Sequence, residues 1–321
     1  MRYVFGFLVI LIFAAGLALL GLRLSAAIRE IGMLPADPPE EGRIVETALG
    51  PIYVEELGPA DGQPVLLVHG SVGWSRMWRP TQAALAAEGY RAIAFDMPPM
   101  GWSFRDPGKD YSRKTQARRL LALAKALEVK PVLVAHSFGA GPAAEAAMVQ
   151  PGAFVGLVAV SGAVGLEAHL SDASIPWPLG NSTAREFAVA ATITNPPAMG
   201  WLLKRFLHRK EAATQEVIDM LNRPGHRAGT TAAYADWLPT LLVPPLDAQS
   251  TRPEAWGALP LPIAFLWGDR DTTTPVAQGE RLAELTGAPL SILKDVGHIP
   301  QIEAPAEFQA ALIAILSDLI S

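Results

Sequence analysis

The stretch Pro131-Val-Leu-Val-Ala-His-Ser-Phe-Gly-Ala-Gly141 limits what this chain can fold into more than any other. Val132 to Ala135 suit a strand buried on both faces, and Ala143, Ala144, Ala146, Ala147 and Met148 suit a helix packed closely on it. Ser137 falls at the junction, on a turn with little room around it. Gly139 and Gly141 supply that room on one side, and Ala135 is the small residue on the other.

Strand and helix patterns alternate on both sides of this unit. Ile44 to Leu49 and Ile52 to Leu57 flank Gly50-Pro51 and read as a hairpin. Val65 to Val68 is an apolar strand running into His69-Gly70-Ser71-Val72-Gly73, followed by a helix carrying Trp78, Leu85 and Ala86. Arg91 to Phe95 is the next strand and ends in Asp96-Met-Pro-Pro-Met-Gly-Trp-Ser103. Thr115 to Leu127 has helical spacing, and Phe154 to Val160 is again an apolar strand. The alternation predicts a mostly parallel sheet with helices on both faces and a site at the carboxyl ends of its strands. It stops after Gly165. From Leu166 to Trp256 the pattern is helical, with candidate helices at Thr183 to Thr194, Ala198 to Arg209, Glu211 to Leu221 and Thr230 to Leu242. It resumes with a strand at Leu261 to Trp267, a helix at Val276 to Thr286, a strand at Pro289 to Leu293 and a helix at Pro305 to Ile320.

The first segment differs from the rest. Tyr3 to Leu22 carries no charge and is bracketed by Arg2 and Arg23; as a helix it would measure about 30 Å, the thickness of a bilayer core. This predicts a retained single-pass anchor contacting lipid through residues 3–22. A cleaved signal, with Ser25-Ala26-Ala27 as its small residues, is the competing reading, although its apolar part usually spans only about 7–15 residues. Arg2 on one flank and Arg23 with Arg29 on the other do not assign the side of the membrane. Pro35, Pro38 and Pro39 among Asp37, Glu40, Glu41 and Gly42 suggest a stiff polar linker. The expected division is anchor 1–24, linker 25–43, core 44–165, helical cap 166–256 and core 257–321.

With 50% apolar and 18% charged residues the chain is not disordered, and a net charge of −5 gives no reason to expect a nucleic-acid partner. The lack of cysteine excludes disulfides, thiolate metal sites and a cysteine nucleophile. His169, His208 and His226 show no ligand-like spacing, so neither a metal nor another cofactor is expected.

Around Ser137 the chain resembles the α/β-hydrolase family, whose nucleophile elbow is written G-x-S-x-G, with Ala135 replacing the first glycine. Asp96 to Ser103 is similar to that family's D-x-P-G-x-G-x-S loop, with Pro99 where a glycine usually stands. The resemblance covers roughly Ile44 to Ile320 and implies an α/β fold of about eight strands with a helical cap inserted after the sixth. It also implies a site. The strand at Ile263 to Trp267 ends in Gly268-Asp-Arg-Asp-Thr-Thr-Thr-Pro275, which selects Asp271 over Asp269 as the acid. The last strand ends in Val296-Gly-His-Ile-Pro-Gln-Ile-Glu303, similar to the family's G-H-x-x-x-x-E, which selects His298 as the base. With Ser137 as nucleophile, the order serine, acid, histidine is that of the family. The oxyanion donors would be the backbone N–H groups of Ser71 and Phe138. His69 is expected to be structural, and His136 to point away from the solvent cleft on the strand's other face.

Trp177, Trp201 and Trp237, with Phe206, Met220 and Leu238, would either roof a hydrophobic acyl pocket or pack the cap on the core. Lys204-Arg-Phe-Leu-His-Arg-Lys210 after Trp201 reads as an amphipathic surface for lipid headgroups or as a solvated face. The resemblance thus implies a membrane-tethered serine hydrolase acting on a carboxylic ester or related acyl compound. Carbon–carbon bond hydrolysis or a cofactor-free perhydrolase reaction would keep the fold, and a non-catalytic binding module would keep neither reaction.

Overall fold

The computed structural model describes residues 2–31, 38–166 and 174–321. It opens with helix α1 (Arg2–Glu30), then β1 (Gly42–Val45), β2 (Ile52–Leu57), β3 (Pro64–Val68), α2 (Arg79–Ala87) and β4 (Arg91–Phe95). α3 (Arg113–Ala126), β5 (Val132–His136), α4 (Ala140–Val149) and β6 (Gly156–Val160) follow. A helical stretch holds α5 (Ser182–Ala191), α6 (Pro196–Phe206), α7 (Gln215–Asn222), α8 (Thr230–Leu242) and α9 (Pro253–Gly257). The chain closes with β7 (Ile263–Gly268), α10 (Val276–Thr286), β8 (Leu290–Leu293), α11 (Pro300–Glu303) and α12 (Pro305–Ile320).

The described strands form one sheet in the order β1-β2-β4-β3-β5-β6-β7-β8. β2 is antiparallel to β1 and to β4, and every other pair is parallel. Side chains alternate between two buried faces, as the twofold repeat of a strand requires. Leu66, Ile93, Leu133, Leu157 and Phe265 pack with α3, α4 and α10. Leu67, Ala94, Val134, Val158 and Leu266 pack with α2 and α12. This is why the central strands read as unbroken apolar runs, each buried Leu or Phe contributing about 1.5–3 kcal/mol.

Several boundaries differ from the sequence reading, for local reasons. The first hairpin strand pairs only as far as Val45, opposite Ile52, because the chain turns from Thr47 to Gly50, where the Thr47 hydroxyl donates to the Gly50 carbonyl (2.7 Å). The helix expected at Glu211 begins at Gln215, since Thr214 caps it by accepting from Val217 N–H (3.3 Å).

The first helix runs beyond the expected anchor boundary at residue 24, so residues 25–30 of the expected linker are helical. Pro35 and Asp37 lie outside the described residues. Residues before Arg23 leave Val4, Phe5, Phe7, Ile10 and Phe13 exposed, and α1 is long and apolar enough to cross a membrane. Its last turns dock on the protein. Arg23 pairs with Glu186 of α5 (2.8 Å), Ala26 is buried, and the Arg29 guanidinium donates to the Thr194 carbonyl. Glu30 accepts from the N–H groups of Gly229 (3.0 Å) and Thr231 (2.8 Å). Gly229, at φ 74°, is the N-cap residue of α8 and has no side chain to cap with, so a carboxylate from α1 takes that role.

Replacing Glu30 by Ala should therefore cost about 1 kcal/mol and lower Tm by roughly 2 °C, with Glu30→Gln losing less. Thermal unfolding of the full chain in detergent checks this, and an unchanged Tm for Glu30→Ala contradicts the cap.

Candidate active site

β5 ends in a strained turn. Ser137 sits at φ 51°, a left-handed position that costs a non-glycine residue about 1 kcal/mol or more. Close packing holds it there. A Cβ on Gly139 would strike the His69 carbonyl oxygen and come within 2.9 Å of Val68 Cγ1. On Gly70 it would lie 2.8 Å from His136 Nδ1 and 2.9 Å from Ser137 Cβ. Ala135, in place of the family's glycine, is fully buried in the core, so its methyl group fits.

Three residues far apart in sequence meet at this turn. Ser137 Oγ lies 2.8 Å from His298 Nε2, and His298 Nδ1 lies 2.8 Å from Asp271 Oδ2. All three are buried. Asp271 Oδ1 accepts from the N–H groups of Thr273 (2.8 Å) and Thr274 (2.9 Å), and Oδ2 accepts from Thr274 Oγ1 (2.9 Å). Burial pushes the Asp271 carboxyl up, but His298 and these N–H donors outweigh burial and hold it below the ordinary carboxylate range. Asp269 faces elsewhere: it accepts from Val296 N–H (3.3 Å) and lies 3.8 Å from Arg270. The backbone of His298 is fixed from two sides, its N–H donating to the Phe206 carbonyl (2.9 Å) and its carbonyl accepting from His136 Nε2 (2.8 Å).

The other two histidines of the region are fully buried. His69 Nδ1 donates to the Gly70 carbonyl (2.8 Å) and Nε2 accepts from Met97 N–H (2.8 Å), tying two loops together. Burial holds its pKa down to about 4. His136 lies edge-on to Trp78 at 6.5 Å, but against the expectation that it points away from the cleft it also lines the cavity that holds Ser137, and it supports the His298 carbonyl. Burial and the neighbouring His298 hold it down to about 3. His169 lies outside the described residues.

Ser71 and Phe138 line the same cavity as Ser137 and His298, a space of about 350 Å³. Its walls are Val72, Met77, Ile193, Met199, Leu203 and Phe206, with further aliphatic side chains from α6, α8 and the loop before α11. No Asp, Glu, Lys or Arg lines it among the described residues. The three tryptophans expected to line an acyl pocket do not. Trp177 is 93% exposed, Trp201 is 63% exposed, and Trp237 is fully buried edge-on to the Phe138 ring at 5.4 Å. The lining falls instead to smaller apolar residues, Leu203 and Phe206 among them, because α6 turns these inward and Trp201 outward. Sequence reasoning also passed over Thr274, whose hydroxyl reaches both Asp271 and His298 Nδ1 (3.2 Å). The run of three threonines directly after Asp271 was its only signal.

A mostly parallel sheet with a strained serine at the end of its fifth strand defines an α/β-hydrolase architecture. Residues 65–311 match the model of the alpha/beta hydrolase family, and the chain belongs to that family. Its relatives include LipZ of Mycobacterium tuberculosis, 26% identical over 303 residues that cover 86% of this chain and 96% of LipZ. A variant of the meta-cleavage product hydrolase CumD, an enzyme of Pseudomonas fluorescens, shares the fold at a TM-score of 0.72 and 24% identity, over 87% of this chain and 99% of its own. A bacterial membrane phospholipase A superposes at a TM-score of 0.68 and 22% identity, over 99% of this chain and 98% of its own.

The two depressed histidines predict acid sensitivity. Their folded pKa values of about 4 and about 3 lie below the unfolded value of 6.5, so the unfolded chain binds more protons and stability falls as pH drops through 6.5. Each contributes up to about 1.4 kcal/mol per pH unit below that point. Denaturant midpoints should decline from pH 7 to 5.5 and decline less steeply in His136→Gln; identical slopes contradict the assignment.

Proposed function

We propose that the chain is a membrane-tethered serine hydrolase that cleaves a carboxylic ester or related acyl compound through an acyl-enzyme on Ser137. The observation that carries this reading is the hydrogen-bonded series from Ser137 Oγ through His298 to Asp271, opening on an apolar cavity. His298 Nε2 takes the serine proton as Oγ attacks the substrate carbonyl. Asp271, fixed by Thr273 and Thr274, stabilises the imidazolium and holds Nδ1 as the protonated nitrogen. The N–H groups of Ser71 and Phe138 receive the charge on the carbonyl oxygen. His298 then returns the proton to the leaving alcohol, and a water deprotonated by the same imidazole releases the acid.

A cavity of about 350 Å³ without a charged side chain suits an uncharged aliphatic or aryl acyl group. Tethering rests on α1. Its last turns dock on α5 and α8, while the residues before Arg23 form a free apolar helix about 30 Å long. The membrane phospholipase A matches 99% of this chain, enough to include α1, whereas CumD matches 87%.

Turnover of p-nitrophenyl esters of increasing chain length tests the reading. Ser137→Ala should lose about 10⁴-fold or more, while Ser71→Ala, which leaves the backbone donor in place, should be mild. Equal losses from both substitutions, or no ester hydrolysis by the unaltered chain, count against it.

A further inference from the structure

A second space, an open groove of about 380 Å³ edged by exposed polar side chains, lies at the C-terminal end of α6. Arg205, His208, Lys210, Arg270 and Thr272 line it, with buried Leu207 beneath. The two spaces share a wall: Phe206 faces the apolar cavity between Arg205 and Leu207, and Thr273 faces it beside Thr272. Phe206 also touches the chemistry, its carbonyl accepting from His298 N–H (2.9 Å) and its ring lying 5.8 Å from the His298 ring.

The groove concentrates positive charge on a chain whose net charge is −5. Arg270 is shared with Asp269 (3.8 Å) and Asp295 (3.4 Å). Among the described residues no carboxylate is within ion-pair reach of Arg205 or Lys210, and Arg205 instead lies over the Trp201 ring at 5.9 Å. A planar guanidinium, an ammonium, an imidazole and a hydroxyl around one space match the oxygens of a phosphate group.

We infer that this groove receives a phosphate carried on the alcohol portion of the ester, so that the substrate class is an acyl ester of a phosphorylated alcohol. The inference rests on the serine-hydrolase reading: the acyl group fills the apolar cavity, the ester carbon meets Ser137, and the alcohol side leaves past Phe206 toward the cations. The reaction is unchanged by the phosphate. Water adds to the acyl carbon, the ester C–O bond breaks, and the phosphorylated alcohol departs with a proton.

The test compares a 1-acylglycerol 3-phosphate with the monoacylglycerol of the same chain, using the full chain in nonionic detergent. The unaltered protein should favour the phosphate ester by about tenfold in kcat/KM at low salt, with the preference shrinking at 1 M salt, where the screening length is about 3 Å. In the Arg205→Glu, Lys210→Glu double variant the preference should vanish or invert, while monoacylglycerol turnover, which also reports folding, stays within about twofold. Inorganic phosphate, balanced against potassium chloride, separates the sources of the group. Competition against the phosphate ester alone supports the groove as a site for free phosphate as well. No competition supports it as a headgroup site. Equal rates on both esters, or a preference untouched by the double variant, overturn the inference while leaving the serine-hydrolase reading intact. Hydrolysis of neither ester defeats that reading itself.

Discussion

A serine can occupy a left-handed backbone position at a strand end only where the adjoining loop brings no side chain against it. β3 and β5 pair in parallel with Val68 opposite Ala135, which sets His69-Gly70-Ser71 level with His136-Ser137-Phe138. At that level the missing side chains of Gly70 and Gly139 let the two backbones meet. One steric arrangement thus brings Ser137, Ser71 and Phe138 together in the lining of one cavity. The strain at Ser137 is offset by the buried apolar sheet on either side of it.

Three buried imidazoles surround this turn, and their partners give them different parts. His69 is bonded to backbone on both nitrogens, and His136 supports the carbonyl of His298. Only His298 meets a carboxylate on one side and a hydroxyl on the other. The carboxylate is itself anchored by two backbone N–H groups and a hydroxyl, so the proton on His298 Nδ1 has a fixed acceptor. The roof of the cavity is tied to the N-terminal helix as well: Arg29 holds the carbonyl of Thr194, next to the lining residue Ile193. The N-terminal helix and the apolar cavity therefore share a structural element, α5 with the loop after it.

What could be read from the sequence lies where chemistry is local. The strand ends before Ser137, Asp271 and His298 carry apolar runs, glycines and turn residues within a few positions, and helices α8 and α10 follow helical spacing that their neighbours do not override. What could not be read depends on orientation. Bulk and hydrophobicity recommended Trp177, Trp201 and Trp237 for a pocket, but which way each points is set by how α6 and α8 pack, a matter between distant segments. For the same reason the docking of Glu30 on α8 was invisible, since nearly two hundred residues separate the carboxylate from the amides it caps.

The central claim is that His298 makes Ser137 a nucleophile. Treating the full chain with a fluorophosphonate and mapping the adduct by peptide mass spectrometry tests it most directly. The account predicts a single adduct on Ser137, greatly slowed in His298→Gln. An adduct on another residue, or labelling of Ser137 at the same rate in His298→Gln, would contradict it.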